Sequence, residues 1–199
     1  MFEKQPWMQR AGEFPQTDQE YFALLARAVF SAGLGPKVVE SRWKEMGEAF
    51  HGFDPAQVTL MGEQDVARLL GDPGVIRNRR KIEAVVKNAG LFLEHLKEHA
   101  AASGAPADGG AVGGASAAAA ATGHPPFHHY LLDLGAGTDL DLAADGLAQA
   151  FSHLGRTSAL FFLFSAGWRP RETNDPTQSQ AAAAASVPDG AKRRSRARP

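Results

Sequence analysis

The stretch "LLGDPGVIRNRRKIEAVVKNAG", residues 69–90, carries the features that decide the fold. A helical apolar pattern stops at an Asp-Pro-Gly turn, and a longer helical pattern begins a few residues later. The longer pattern is the strongest helix signal in the chain and consists of Ile82, Val85, Val86, Ala89, Phe92, Leu93 and Leu96. Two helices joined by a tight turn that contains glycine predict a helix–hairpin–helix element over residues 63–98.

Four basic residues stand at the start of the second helix: Arg77, Arg79, Arg80 and Lys81. Positive charge there is unfavourable by about 0.3–1 kcal/mol, because the helix dipole is positive at its amino end. A bound phosphate would reverse this effect, since unpaired N–H groups at a helix start bind anions and basic side chains add charge-assisted contacts. The alternative is a solvated helix start with no ligand.

We therefore predict that this turn contacts the DNA backbone without reading sequence. The glycine of the turn would let the backbone approach a strand closely. The predicted contact residues are Pro73, Gly74, Val75, Arg77, Asn78, Arg79, Arg80 and Lys81.

Helical spacing and turn signals divide the rest of the chain, and no alternating strand pattern is present, so an all-α fold is expected. Asp18 is the predicted N-cap of the first helix, and Asp54 followed by Pro55 predicts another helix start. The predicted division is an irregular lead-in (1–17), a helical core (18–99), a flexible Ala/Gly insertion (100–123), closing helices of the same domain (124–168) and a disordered basic tail (169–199).

Charge is unevenly distributed along the chain. Residues 169–199 hold seven Lys and Arg against three Asp and Glu; with 21 and 22 in total, residues 1–168 hold 14 against 19. A nucleic-acid surface on this acidic body must therefore be local. The chain has no cysteine, no apolar leader and no apolar run long enough to span a membrane, so we expect a cytoplasmic protein with no membrane partner.

Three histidines lie close together in "HPPFHHY", at His124, His128 and His129. Imidazoles bind metals, but only Asp133 is a nearby acidic ligand, and packing or solvation is the simpler interpretation. We expect no metal site and no cofactor, and the sequence names no protein partner.

Residues 21–99 resemble the bacterial 3-methyladenine DNA glycosylase I family of helix–hairpin–helix glycosylases. The motifs that carry the resemblance are "AGLG" (32–35), "FHGFDPAQVTLM" (50–61), "DVARLL" (65–70) and "GVIRNRRKIEAVVKNA" (74–89). They match the family patterns A-G-L-S-W, F-x-x-F-D-P-x-x-V-x-x-M, D-V-x-R-L and G-I-I-R-x-x-x-K-I-x-A. A further stretch, "GRTSALFFLFSAG" (155–167), resembles a family helix near the end of the domain.

The resemblance implies a helical domain that flips a damaged base out of DNA, stacks it on aromatic side chains and hydrolyses its N-glycosyl bond in base excision repair. The family substrate, 3-methyladenine, is cationic in DNA and leaves readily, so selective recognition matters more than strong acid catalysis. The residues expected to line the base pocket are Ala28, Phe30, Gly33, Leu34 and Trp43.

The chain departs from the family pattern at three places. Ala28 stands where the family has the glutamate that hydrogen-bonds the flipped base, so no catalytic residue is assigned. Pro36 stands where the family has tryptophan, and the family's zinc site has no cysteine ligands here. Glu40, Glu45 or Glu48 could supply the missing carboxylate if one faced the pocket. Three readings follow: an active glycosylase, an inactive DNA-binding protein, or a protein-interaction scaffold that kept the fold.

Overall fold

A computed structural model describes residues 6–102 and 123–170 of the chain. All regular secondary structure in these two ranges is helical, which confirms the predicted all-α class. The elements are α1 (Asp18–Ser31), α2 (Pro36–Glu40), α3 (Trp43–Ala49), a 3₁₀ turn (His51–Phe53), α4 (Pro55–Val58), α5 (Glu63–Gly71), α6 (Arg79–Ala102), α7 (Pro126–Asp133), α8 (Leu140–Ala150) and α9 (Arg156–Ser165).

The predicted domain division concerns several segments that the structure does not describe. Most of the predicted insertion and nearly all of the predicted tail lie outside the described residues, so their flexibility stays a prediction. Helix α6 runs on to Ala102, three residues into the segment that was assigned to the insertion. None of the described helices is both long and apolar enough to cross a lipid bilayer.

Helix α1 lies at the centre of the core and packs against α6, α7 and α9. Its buried side chains include Tyr21, Phe22 and Phe30, each with no exposed surface. The Phe22 ring meets Phe92 of α6 edge-on at 5.4 Å between centroids, and Phe92 stacks on Phe127 of α7 at 4.2 Å. Aromatic pairs of this kind stabilise a core beyond simple area burial. The helices on both sides of the undescribed segment therefore share one core.

Thr17, and not Asp18, is the N-cap of α1. The Thr17 hydroxyl accepts the N–H of Glu20, and the Glu20 carboxylate accepts the N–H of Thr17 in return, which completes a capping box. The predicted cap was wrong by one residue. Asp18 instead accepts the backbone N–H of Phe127 at 2.9 Å, so it ties the start of α7 to the start of α1.

The lead-in has no helix over residues 6–17, yet it is held firmly against the end of α9. The N–H of Gln9 donates to the carbonyl of Ser165 at 2.9 Å, and the N–H of Gly12 donates to that of Gly167 at 3.0 Å. Gly167 has φ +94°, and a Cβ there would lie 2.0 Å from the Glu13 carbonyl oxygen. Only glycine allows the backbone at position 167 to come this close to Glu13. This contact and the two hydrogen bonds hold the lead-in, including Trp7, against the end of α9.

Asn88 of α6 holds the loop between α8 and α9. Its side chain is fully buried, and it donates from Nδ2 to the Ser152 carbonyl at 2.9 Å. Its Oδ1 accepts the Ser152 N–H at 2.7 Å. The Asn88 amide thus pairs both backbone polar groups of Ser152, which lies in a loop and has no helical hydrogen bonds of its own.

Replacing Asn88 with alanine is expected to lower the free energy of unfolding by about 2 kcal/mol, because Ser152 loses both partners in a buried site. Urea denaturation of the full chain measures this. Lys87→Ala, at the exposed neighbouring position on the same helix, is the matched control and should change stability by less than about 0.5 kcal/mol. Equal losses in the two variants would contradict the role assigned to Asn88.

A buried polar pair lies at the junction of α1 and α7. The Tyr21 hydroxyl and His128 Nδ1 are 2.8 Å apart, and the imidazole is only 4% exposed. Burial lowers the pKa of His128 to about 4, and the charges of His124 and His129 act in the same direction. Burial raises the pKa of Asp18 to about 6, against the effect of the Phe127 N–H. The shifted pKa values of His128 and Asp18 therefore have opposite effects on stability as pH changes.

The native state binds fewer protons at His128 between pH 4 and 6.5 than the unfolded state does, so acidification in that window destabilises it. At Asp18 the native state binds more protons between pH 3.8 and 6, so a rise in pH destabilises it. Relative to the native protein, Asp18→Asn should gain stability with rising pH and His128→Gln should lose it. Each change is up to about 3 kcal/mol. Denaturation curves across pH 4–6.5 measure both, and parallel curves for the two variants would contradict this assignment.

Candidate nucleic-acid interface and aromatic site

The turn between α5 and α6 is held by hydrogen bonds of its own. The Asp72 carboxylate accepts the Gly74 N–H at 2.7 Å, and the Asp72 carbonyl accepts the Val75 N–H at 3.2 Å. Val75 is buried beneath the turn, while Pro73 is exposed at its tip. An aspartate that bonds its own backbone two residues on is a common way to stabilise a turn.

Helix α3 supports the turn from behind. A Cβ on Gly74 would lie 2.9 Å from Cβ of Glu45, closer than real Cβ atoms come, and the Arg42 guanidinium donates to the Pro73 carbonyl. From the sequence, we expected glycine at position 74 because it would let a DNA strand approach the backbone closely. In the structure, packing of the turn on α3 already requires glycine at this position.

The start of α6 is capped by its own side chains. Asn78 Oδ1 accepts the N–H of Lys81 at 3.3 Å, the position expected of an asparagine N-cap. Arg79 bonds Glu63 of α5 at 2.8 Å and Glu83 one turn along α6 at 3.1 Å, and these carboxylates raise its pKa. Arg79 therefore fastens the two helices of the hairpin together.

Lys81 points into the protein. Its side chain is 8% exposed, and the ammonium donates to the carbonyls of Phe30 at 2.7 Å and Ala32 at 2.5 Å. These two residues lie at the end of α1, where carbonyls lack helical partners. Burial lowers the pKa of Lys81. The ammonium thus caps α1 from the start of α6.

The four basic residues of the cluster consequently divide into two pairs. Lys81 is buried and Arg79 is exposed but paired with two carboxylates, whereas Arg77 and Arg80 are exposed at the surface of the turn. The outward cations lie beside the tip of the turn, with Pro73 and Asn78, and form the surface on which an anion would meet positive charge.

The predicted base-pocket residues lie near one another at the end of α1, but most belong to the core. Ala28 is 1% exposed, and Phe30 meets Phe50 edge-on at 5.8 Å. Phe50 stacks on Phe53 at 5.5 Å, and Phe53 stacks on Trp43 at 4.5 Å. Only Trp43, half-buried, reaches the surface from this row of rings.

Gly33 and Leu34 form the turn that follows α1. Gly33 is exposed with φ +70°, a conformation that favours glycine, and Leu34 is half-buried. The turn leads into α2 at Pro36, so the position that carries tryptophan in the family pattern opens a helix here. Proline is favoured at a first helical position because its missing N–H would be unpaired there anyway.

The most unusual group in this region is the guanidinium of Arg27, one residue before Ala28. Its Cζ lies 3.9 Å from the centre of the Trp7 ring system and 4.1 Å from that of Trp43, so two indoles enclose one cation. The side chain is 4% exposed, and Nη1 lies 2.9 Å from Oε2 of Glu40. Two rings and one carboxylate surround a planar cation, an arrangement that favours cation–π attraction.

Burial lowers the pKa of Arg27 to about 10, and the charge of Glu40 opposes this shift. The guanidinium is therefore still protonated at neutral pH. Its Nε and Nη1 have no hydrogen-bond partner among the residues that the structure describes, so the Nη1 contact with Glu40 is an ion pair, and Nε1 of Trp7 also lacks a partner. The ion pair and the two ring faces stabilise a charge that burial alone would disfavour.

The sequence patterns did not predict this group. Glu40 was one candidate for the missing carboxylate, but in the structure it pairs with Arg27. The available signal was Arg27 itself, a charged residue inside the apolar stretch "YFALLARAVF". Buried charged residues are rare unless they are paired. Trp7 could not be placed, because no helical pattern links it to α1.

The histidines near α7 lie in an aromatic cluster. His124 stacks on His128 at 4.1 Å, Phe14 meets His128 edge-on at 4.6 Å, and Trp168 lies 5.0 Å from His128. In the described ranges no group of three or more His, Cys, Asp or Glu side chains is arranged to hold a metal ion.

A family model described as methyladenine glycosylase matches residues 7–104. DNA-3-methyladenine glycosylase 1 of Escherichia coli strain K12 is 38% identical over 81 residues, which are 40% of this chain and 43% of that protein. DNA-3-methyladenine glycosylase of Haemophilus influenzae is 36% identical over 80 residues, with the same coverage of both chains. The chain thus aligns with less than half the length of these curated relatives.

Solved structures extend the likeness of fold beyond the aligned segment. A crystal structure of a 3-methyladenine DNA glycosylase I superposes with a TM-score of 0.59 at 23% identity, over 83% of this chain and 90% of that one. The 3-methyladenine DNA glycosylase I of Staphylococcus aureus also gives 0.59 at 22% identity, over 87% and 91%. Residues 7–104 are therefore similar to the methyladenine glycosylase family, and the described helices adopt the fold of the solved 3-methyladenine DNA glycosylase I structures.

Proposed function

We propose that this protein binds DNA through the turn between α5 and α6 and serves base excision repair, with its excision of alkylated bases suppressed. The observation that supports DNA binding is the pair of outward cations, Arg77 and Arg80, at an exposed turn of a family whose named relatives are DNA glycosylases. The contact is with phosphate, so little sequence specificity is expected.

The contact residues predicted from sequence have different parts in this proposal. Pro73, Gly74 and Val75 shape the turn, and Asn78 caps α6 beside it. Arg77 and Arg80 supply charge to the phosphates, since they are exposed. Arg79 and Lys81 act indirectly, because their side chains hold the hairpin and α1 in place.

Suppressed excision is supported by the region around Ala28. Ala28, which is 1% exposed, stands where the family pattern has its base-recognition glutamate, and the Glu40 carboxylate is paired with Arg27. A flipped base therefore lacks a free acceptor at this position. The base recognition that the family pattern provides would have to come from ring stacking alone.

A second candidate is a helical scaffold that binds protein and not DNA. The specific observation in its favour is the excess of acidic residues in positions 1–168, 19 against 14 basic. An acidic surface opposes association with DNA unless a local basic patch outweighs it. Salt dependence of DNA binding separates the two candidates.

Replacing Arg77 and Arg80 together with alanine is expected to weaken binding to a duplex of arbitrary sequence. The slope of log K against log salt concentration should fall in magnitude by roughly 0.9 for each phosphate contact that is lost, about two in all. Fluorescence anisotropy at several salt concentrations measures the slope. The matched control removes two exposed lysines further along the same helix, Lys87 and Lys97, and should retain most of the native slope.

Two results would contradict DNA binding through this turn. One is a slope that changes equally in the arginine and lysine double variants, which would reveal only an effect of net charge. The other is the absence of native binding at low salt, which would favour the scaffold. Circular dichroism of each variant confirms that the helical fold is retained.

Excision is tested with alkylated DNA and an excess of the full chain. The native protein is expected to release no 3-methyladenine above the spontaneous rate, while a family enzyme assayed in parallel releases it. Ala28→Glu restores the family carboxylate and is the comparison variant. Release by the native protein would show that the chain is an active glycosylase that recognises the base without this glutamate.

A further inference from the structure

We propose that Trp7, Trp43 and Glu40 form a recognition site for planar organic cations, and that Arg27 of the same chain is its resident occupant. We call these three residues the cation cage. The guanidinium lies between the two indoles at 3.9 and 4.1 Å from their centres, and Glu40 contacts it at 2.9 Å. The ligand class follows from these contacts: a flat, positively charged group with an edge N–H.

The cage is assembled from three separate parts of the chain. Trp7 comes from the lead-in, which is fixed to the end of α9 by the backbone bonds of Gln9 and Gly12. Glu40 is the last residue of α2, and Trp43 is the first of α3. Trp43 is held from behind by Phe53, which stacks on it in a nearly parallel orientation, 10° between planes. The walls therefore do not depend on Arg27 for their backbone support.

The chemistry of the cage matches a planar cation better than it matches an apolar or anionic group. The faces of indole rings carry negative potential, and a carboxylate at the edge adds charge and a hydrogen-bond acceptor. Arg27 is 4% exposed, yet neither its Nε nor its Nη1 has a hydrogen-bond partner among the described residues, so two ring faces and one ion pair hold the guanidinium. A guanidinium is less strongly hydrated than an ammonium and suits such a site.

The cage opens toward solvent on the side of Glu40, whose side chain is 47% exposed. A small cation could therefore enter by this route once the Arg27 head is removed. While Arg27 is in place, a free cation must displace a group that is covalently attached and already oriented. Arg27 accordingly acts as an internal plug that keeps the native cage closed to other planar cations.

This inference is independent of DNA binding through the turn, because none of the cage residues belongs to residues 71–81, which contain all the proposed DNA contacts. It would hold if the proposed function failed. It also bears on the region around Ala28. An alkylated purine is planar and cationic, and the Arg27 guanidinium, presented by α1, is a planar cation too.

The test is chemical rescue of Arg27→Ala in the full chain, with methylguanidinium as the probe. The variant should melt below the native protein, and the probe should raise its Tm in a saturable way. The rise should be about 4 °C when the probe is at about ten times its dissociation constant. Methylurea, which is flat but neutral, and methylammonium, which is charged but not flat, should each give a smaller rise. Adding Glu40→Gln to Arg27→Ala should weaken the rescue.

Arg68→Ala is the matched control, since it removes another arginine that pairs with one carboxylate but is half exposed on α5. Its response to methylguanidinium should equal that of the native protein. A rise in Arg27→Ala no larger than in Arg68→Ala, or an equal rise with methylurea, would overturn the proposal.

If Arg27→Ala does not fold, the native protein still provides a test. Two flanking indoles should shift the Nε–H proton signal of Arg27 upfield of the ordinary arginine position in its NMR spectrum, and Trp43→Ala should reduce that shift. An ordinary position for this signal in the native protein would show that Arg27 does not occupy the cage.

Discussion

The contact between the Lys81 ammonium and the last carbonyls of α1 joins the two helices on which the molecule is built. Helix α1 carries the central core residues and Arg27, the occupant of the cation cage, and α6 begins at the exposed turn. A buried ammonium is unfavourable unless its donors are paired, and the unpaired carbonyls at a helix end are suitable partners. The Lys81 side chain therefore fixes the start of α6, next to the turn, against the end of α1. Arg27 and Ala28 lie on that same helix.

This contact changes the meaning of the basic cluster at the start of α6. Four positive charges near the positive end of a helix dipole are difficult to explain as a group. Arg79 pairs with two carboxylates and the Lys81 ammonium donates to two carbonyls, so of these four residues Arg77 and Arg80 are left for an external anion. The four basic residues are close in sequence but have two roles: Arg79 and Lys81 stabilise the fold, and Arg77 and Arg80 supply positive charge at the surface.

The sequence predicted the helical class, the two helices around the turn and the Asp54 cap, whose carboxylate accepts the Ala56 N–H at 2.9 Å, because these depend on local spacing and on turn residues. It missed the cap at Thr17 by one residue, because threonine and aspartate are both good N-caps. The direction of each basic side chain could not be predicted, since residues 79 and 81 differ by only two positions and yet face opposite environments. The cage was out of reach because Trp7 and Arg27 meet through contacts of the lead-in with α9, more than 150 residues away in sequence.

The placement of the tryptophans has an optical consequence. The chain has three tryptophans, and they pack against two kinds of partner. Trp7 and Trp43 share the Arg27 cation, whereas Trp168 lies against the His128 imidazole at 5.0 Å. Intrinsic fluorescence therefore combines two reporters of the cage with one of the histidine cluster. Single replacement of Trp168 by phenylalanine leaves an emission spectrum that reports on the surroundings of Arg27 alone.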